Sequence, residues 1–198
     1  MKALIIDTTL KGSYVAAFDG EKETVSFLDA ELSTQSALIP ACKKALSALE
    51  LAPNDLDAIG AVVGPGSFTG IRIGVSFANA FAFALSLPRF SLTSFDVMRA
   101  LRPRATAYAV DAGREECYAA LAEKGSLSPV NLKKCDLPEG AVDQSDLLSE
   151  LPKGALLAMR KGLEEKAFSS CAPTSETTYF KPNYMKKSQA ERLKDEKK

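Results

Sequence analysis

Short apolar runs broken by turn residues open the chain. Residues 3–8 read as a strand, 14–19 as a second strand reached through Lys11-Gly12, and 24–30 as a third after the turn Asp19-Gly20. The period then lengthens. Over residues 35–49, Leu38, Ala41 or Cys42, Ala45 and Leu49 fall on one helical side, with Pro40 near the start and Ser33 or Thr34 placed to cap it. Residues 57–63, small and β-branched, predict a buried strand; 70–86 predict a helix, 90–92 a short strand and 94–101 a further helix. The order is βββαβα.

After Arg102-Pro103-Arg104 the pattern restarts. Residues 105–110, 116–122 and 130–135 predict strands, and 145–151, 155–159 and 162–168 predict a helix, a strand and a helix, each short. The chain thus reads as two βββαβα lobes, 1–102 and a reduced 103–185, followed by a charged tail at 186–198. Tandem lobes of this kind define an α/β class, the duplicated ribonuclease-H-like architecture of actin, Hsp70 and sugar kinases (the ASKHA fold).

Between the strand at 57–63 and the following helix lies GPGSFTGIRIG, Gly64 to Gly74, with four glycines in eleven residues. Gly64 and Gly66 can take positive φ, Pro65 fixes its own φ, and Ser67 or Thr69 can cap the helix. A helix start of this kind can hold an anion. The spacing is neither a P-loop nor G-x-G-x-x-G, so two alternatives stand: phosphate contact through Gly64, Gly66, Ser67 and Thr69, or a tight turn that lets the helix pack. Along the helix, Gly70, Gly74, Ala78 and Ala82 recur every four residues as a stripe of small side chains, while Phe77, Phe81 and Phe83 project on other faces. Only Arg72, Ser76 and Asn79 break the apolar surround. Such a helix lies wholly in a core or has one side covered by another chain.

Composition narrows the chemistry. The 198 residues are 46% hydrophobic and 25% charged, with 25 Lys plus Arg against 25 Asp plus Glu, so no global field attracts nucleic acid or membrane. Asp7 interrupts the opening MKALIIDTT before a signal-peptide core forms, and 71–87 is too short and polar to span a bilayer, which together predict a cytoplasmic protein. Cys42, Cys117, Cys135 and Cys171 contain no C-x-x-C pair and read as reduced thiols. There is no histidine, which excludes Ser-His and Cys-His nucleophiles and histidine-containing zinc sites. Members of the ASKHA class that use ATP carry acidic, glycine-containing phosphate loops in both lobes. Asp7-Thr8-Thr9 lacks the glycine, Asp111-Ala112-Gly113-Arg114 has one, and no Gly-Gly pair follows. Asp7, Thr8, Asp111 and Arg114 are therefore candidate residual nucleotide contacts; the alternative is turn carboxylates satisfied by nearby backbone N–H groups.

IIDTT at 5–9, DLDAIGAVVGPGSFTGIRIG at 55–74, VDAGREECY at 110–118 and PNYMK at 182–186 resemble the TsaB (formerly YeaZ) family over most of the chain. The resemblance implies a non-catalytic subunit that needs no metal or cofactor of its own, with ATP bound weakly or at a subunit boundary. It implies binding to a TsaD-like transferase together with a TsaE-like ATPase, contact with tRNA through that complex, and modification of the adenosine beside the anticodon with a threonylcarbamoyl group. TsaD-like enzymes carry an H-x-x-x-H metal pair that this histidine-free chain lacks. The family pairs subunits through helices of its first lobe, which places the contact surface on Gly70, Gly74, Phe77, Ala78 and Phe81 beside Leu38, Cys42 and Ala45, and implies a homodimer when alone. Relatives often open the first helix with His-Ser-Gln, where this chain reads Thr34-Gln35-Ser36. The alternative function is a small ATP-dependent phosphotransferase or nucleotide hydrolase using Asp7 and Asp111.

Overall fold

A computed structural model describes residues 1–10, 12–123, 126–165 and 179–185. The first lobe holds β1 (Lys2–Asp7), β2 (Tyr14–Asp19), β3 (Lys22–Phe27), α1 (Thr34–Ala48), β4 (Ala58–Val62), α2 (Phe68–Ala84), β5 (Arg89–Leu92) and α3 (Ser94–Leu101). Its sheet runs β3-β2-β1-β4-β5, with β1 antiparallel to β2 and parallel to β4. Continuous apolar runs suit β1 and β4 because both of their faces are buried. Ala3 and Ile5 enter one core and Leu4 and Ile6 the other. α1 and α2 cover the second face, capped by Ser33 and Ser67 through the N–H groups of Ser36 and Gly70. The predicted elements of this lobe are all present, with ends shifted by a few residues.

The second lobe holds β6 (Ala107–Asp111), β7 (Glu116–Glu123), β8 (Ser126–Lys133), β9 (Ala141–Asp143) and α4 (Leu151–Glu164), with sheet order β8-β7-β6-β9. Here the sequence reading needs correction. Residues 145–151 do not form a regular helix, since only a 3-10 turn spans Gln144–Leu147, and residues 155–159 are not a strand but the middle of α4. The predicted helix at 162–168 is the end of α4 as far as Glu164, and 166–168 lie outside the described residues. The actual fourth strand is the three-residue β9. A run such as Ala155-Leu156-Leu157-Ala158-Met159 is apolar in both periods, and glycines at 154 and 162 make a helix look interrupted. Packing supplies the reason for those glycines: a Cβ at Gly154 would come within 2.6 Å of the Val97 carbonyl oxygen, and Gly162 lies against the Phe90 ring.

α3 and α4 lie between the two sheets. One cluster runs from Ile5, Tyr14 and Val62 through Phe95, Met98 and Met159 to Tyr108, Val110 and Ala120, so both lobes share a single core. The Tyr14 hydroxyl lies 3.2 Å from the Leu151 carbonyl, and Tyr108 donates to the Arg102 carbonyl at 2.7 Å. The opposite face of the second sheet carries only the small cluster Ala109, Cys117 and Ala119 with Val130, Leu132 and Leu137, and no described helix contributes to it. Among the described residues no helix is long and apolar enough to cross a membrane.

Candidate functional site

The glycine loop is a hub where all four signature segments touch. Gly64 has φ +110°, with its peptide to Pro65 cis. Ser67 N–H donates to the Thr9 carbonyl at 2.6 Å, and the Ser94 N–H and hydroxyl donate to the carbonyls of Gly64 (2.9 Å) and Pro65 (2.6 Å). Asn183 N–H donates to the Val63 carbonyl at 2.8 Å. The Ser67 hydroxyl accepts from Gly70 N–H at 3.2 Å, whereas Thr69 is exposed and caps nothing. A cavity of about 40 Å³ remains where Pro65, Gly66 and Phe68 meet Tyr118 and Tyr184. The loop therefore spends its polar groups inside the chain, as a tight turn that lets α2 pack does.

The stripe of small residues on α2 faces inward, which overturns its reading as an external ridge. A Cβ at Gly70 would strike the Thr8 carbonyl, and one at Gly74 the Thr8 hydroxyl. Thr8 fills that space and donates its hydroxyl to the Gly70 carbonyl at 2.7 Å. Ala78, Leu38, Cys42 and Ala45 are likewise buried in the core between the helices and the sheet. Glycine and alanine at this spacing serve close approach of α2 to β1, a contact internal to the monomer. Of the residues expected at an interface, Phe77 and Phe81 alone keep partial exposure, with ring centroids 5.9 Å apart.

The two candidate carboxylates sit in unlike settings. Asp7 is buried, and Thr9 donates both its N–H (2.9 Å) and its hydroxyl (2.7 Å) to one carboxyl oxygen. Desolvation raises the Asp7 pKa, while the bonds from Thr9 and the Tyr14 hydroxyl oppose the shift. Asp111 is exposed, pairs with Lys134 at 2.9 Å and accepts from Gly113 N–H at 3.0 Å; the Lys134 bond is the main cause of its lowered pKa. Arg114 stands exposed at φ 56°. Among the described residues no group of three or more His, Cys, Asp or Glu could hold a metal ion.

Sequence reasoning missed the surface that α2 does present. Ser76, Ala80, Phe83 and Ala84 are exposed along its outer side, with Ile73 and Phe77 half-buried beside them; Phe83 is 67% exposed, and Ile39 on α1 is 55% exposed. Phases of 3.6 residues identify this side only once the sheet-facing side is known. Residues 179–185 run along one flank of the helix. The Asn79 amide holds both backbone groups of Phe180, at 2.8 and 3.1 Å, and the Phe180 ring is buried in the helix-side core. Arg72 lies 3.9 Å over the Phe68 ring and donates Nε to the Tyr184 hydroxyl at 2.9 Å.

The two lobes give the chain a duplicated ribonuclease-H-like fold. A family model described as TsaD, tRNA N6-adenosine threonylcarbamoyltransferase, matches residues 29–189. An uncharacterised protein of Mycobacterium leprae is 36% identical over 124 residues, 58% of this chain and 33% of that protein. The tRNA threonylcarbamoyladenosine biosynthesis protein TsaB of Bacillus subtilis is 35% identical over 78 residues, covering 39% of this chain and 33% of that protein. These matches thus span about a third of the relatives' own length. YeaZ from Pseudomonas aeruginosa has the same fold, with TM-score 0.69 at 20% identity over 90% of this chain and 99% of that one. The chain belongs to this threonylcarbamoyltransferase-type family, among its TsaB (YeaZ) members.

Proposed function

We propose that the chain is an accessory subunit in the biosynthesis of threonylcarbamoyladenosine in tRNA, docking onto a TsaD-like transferase that works with a TsaE-like ATPase. The supporting observation is the contrast within α2. Its glycine loop and small stripe are consumed by packing within the monomer, while Ala80, Phe83 and Ala84 on its outer side are apolar and exposed among the described residues. Interface cores take this character, poor in charge and rich in aromatic side chains. Similarity to TsaB proteins supports a TsaD-like transferase as that partner. tRNA is reached through the complex, ATP is not needed by this chain, and the same face serves a homodimer when the partner is absent.

Reconstitution tests the proposal. Transferase, ATPase, tRNA and a threonylcarbamoyl-adenylate source are combined with wild-type chain or with Phe83→Glu. Modification that depends on the wild-type chain and is lost with the folded variant is the expected result. Equal modification with and without the chain sinks the reading, as does robust ATP turnover by the chain alone. For the competing use of one face, homodimers that persist unchanged under excess transferase on a sizing column count against it.

A further inference from the structure

Two arginines beside residues 179–185, the strap along α2, are poised for acceptors that the described chain does not provide. Arg72 is stacked on Phe68 and Tyr184, and among the described residues its guanidinium makes one hydrogen bond, to the Tyr184 hydroxyl. Arg89, on the edge strand β5, lies 5.5 Å from the centre of the Tyr179 ring, and among the described residues its buried Nε has no acceptor. Neither arginine takes part in any of the ion pairs formed among the described residues. A guanidinium lying over a ring keeps its in-plane N–H groups, which match a carboxylate or phosphate bidentately.

The local sequence is poor in acids, although Asp57 lies two residues before Ile59, the strand partner of Arg89. From Ala58 to Phe95 the sequence has no Asp or Glu, and none occurs in 179–185, which adds Lys181. Tyr179 and Tyr184 are 46% and 41% exposed, so each arginine–tyrosine pair stands at the surface, on the flank next to the apolar outer side of α2. Four residues separate the two tyrosines, five Cα steps or at most about 18 Å of extended chain.

We propose that Arg72 and Arg89 form a pair of carboxylate-binding forks on this flank, and that the protein seated on α2 presents an acidic residue to each. The inference rests on the docking reading above and deepens it by stating the partner's chemistry. A protein is favoured over RNA because Arg72 stands on the same helix as the exposed Ala80, Phe83 and Ala84, apolar side chains that a phosphate backbone would leave unused.

The test is calorimetric titration of the full chain with the full-length TsaD-like transferase at low and high salt, using wild type, Phe83→Glu, Arg89→Lys and the double variant Arg72→Gln/Arg89→Gln. Wild-type affinity is expected to fall with salt. The double variant should bind roughly tenfold or more weakly with the salt dependence flattened, and Arg89→Lys should fall between. Arg89→Lys should melt as wild type does and still bind more weakly, which separates recognition from folding. If Phe83→Glu blocks the complex while the double variant binds with wild-type affinity and salt slope, the forks are refuted and the docking face stands. If Phe83→Glu binds normally, the docking reading fails and this inference with it. Unmodified tRNA titrated into the isolated chain is the third arm: loss of tRNA binding in the double variant, with transferase affinity unchanged, would assign the forks to phosphate and overturn the proposal.

Discussion

The two lobes repeat one topology with unequal completeness. The first has five strands with helices on both faces; the second has four, with only a 3-10 turn at Lys134–Asp136 between β8 and β9 and no described helix on its outer face. The turn after the first strand shows what that means. In the first lobe, α2 and the glycine loop close over Asp7-Thr8-Thr9 and bury all three residues. In the second, no described element covers Asp111-Ala112-Gly113-Arg114, and its carboxylate pairs with Lys134 at the surface. A covering helix turns a loop that could meet a ligand into a packing joint.

The sharpest test of this contrast is steric. Gly70→Ala or Gly74→Leu drives side-chain atoms into Thr8 and should cost about 3 kcal/mol or more, or prevent folding, read by urea unfolding. Gly113→Ala, at φ +81° with nothing within 4 Å of its would-be Cβ, should cost only about 1 kcal/mol of backbone strain. Equal losses would break the comparison. Core truncation comes next. Leu38→Ala in the helix-covered core should cost about 2–5 kcal/mol, and Leu132→Ala on the bare face about 1 kcal/mol, because Leu132 keeps part of its surface in water.

Charge changes are smaller and run in opposite directions. Burial raises the Asp7 carboxyl, so its contribution to stability is fully present below the unfolded value, about 3.9, and is lost as pH rises through the folded value. Asp7→Asn keeps an acceptor for Thr9 and is expected to melt no lower than wild type at pH 7, with that slope removed. Asp111 is lowered, chiefly by Lys134, so its contribution is present above about 3.9 and is lost as pH falls through the folded value. Screening by water limits Asp111→Asn to a few tenths of a kcal/mol. The thiols make the finest comparison: burial pushes Cys42 up to about 12 and also raises Cys117, so iodoacetamide at pH 8 should label exposed Cys135 well before either. Fast labelling of Cys42 in native protein would contradict a closed first lobe.

The first lobe was legible in detail because alternation, caps and glycine punctuation agree along it, from the Ser33 cap to the helix at 94–101. In the second lobe they conflict. Ala155 to Met159 carries no period, and β9 has three residues, too few for any pattern to register. The candidate site was only half readable. Its segments, IIDTT, GPGSFTG and PNYM, stand out in one dimension, yet nothing linear says that Asn183 bonds Val63 or that Thr8 occupies the notch at Gly70 and Gly74.

The sequence by itself determined the βββαβα first lobe, the exclusion of histidine chemistry and the need for some surface to approach α2 closely, since each depends on residue type and local spacing. Which surface that is was decided by tertiary structure. A helix apolar nearly all round carries no internal mark of its inward side, and only the position of Thr8 in the turn after β1 turned the glycines toward the core and left Phe83 facing out.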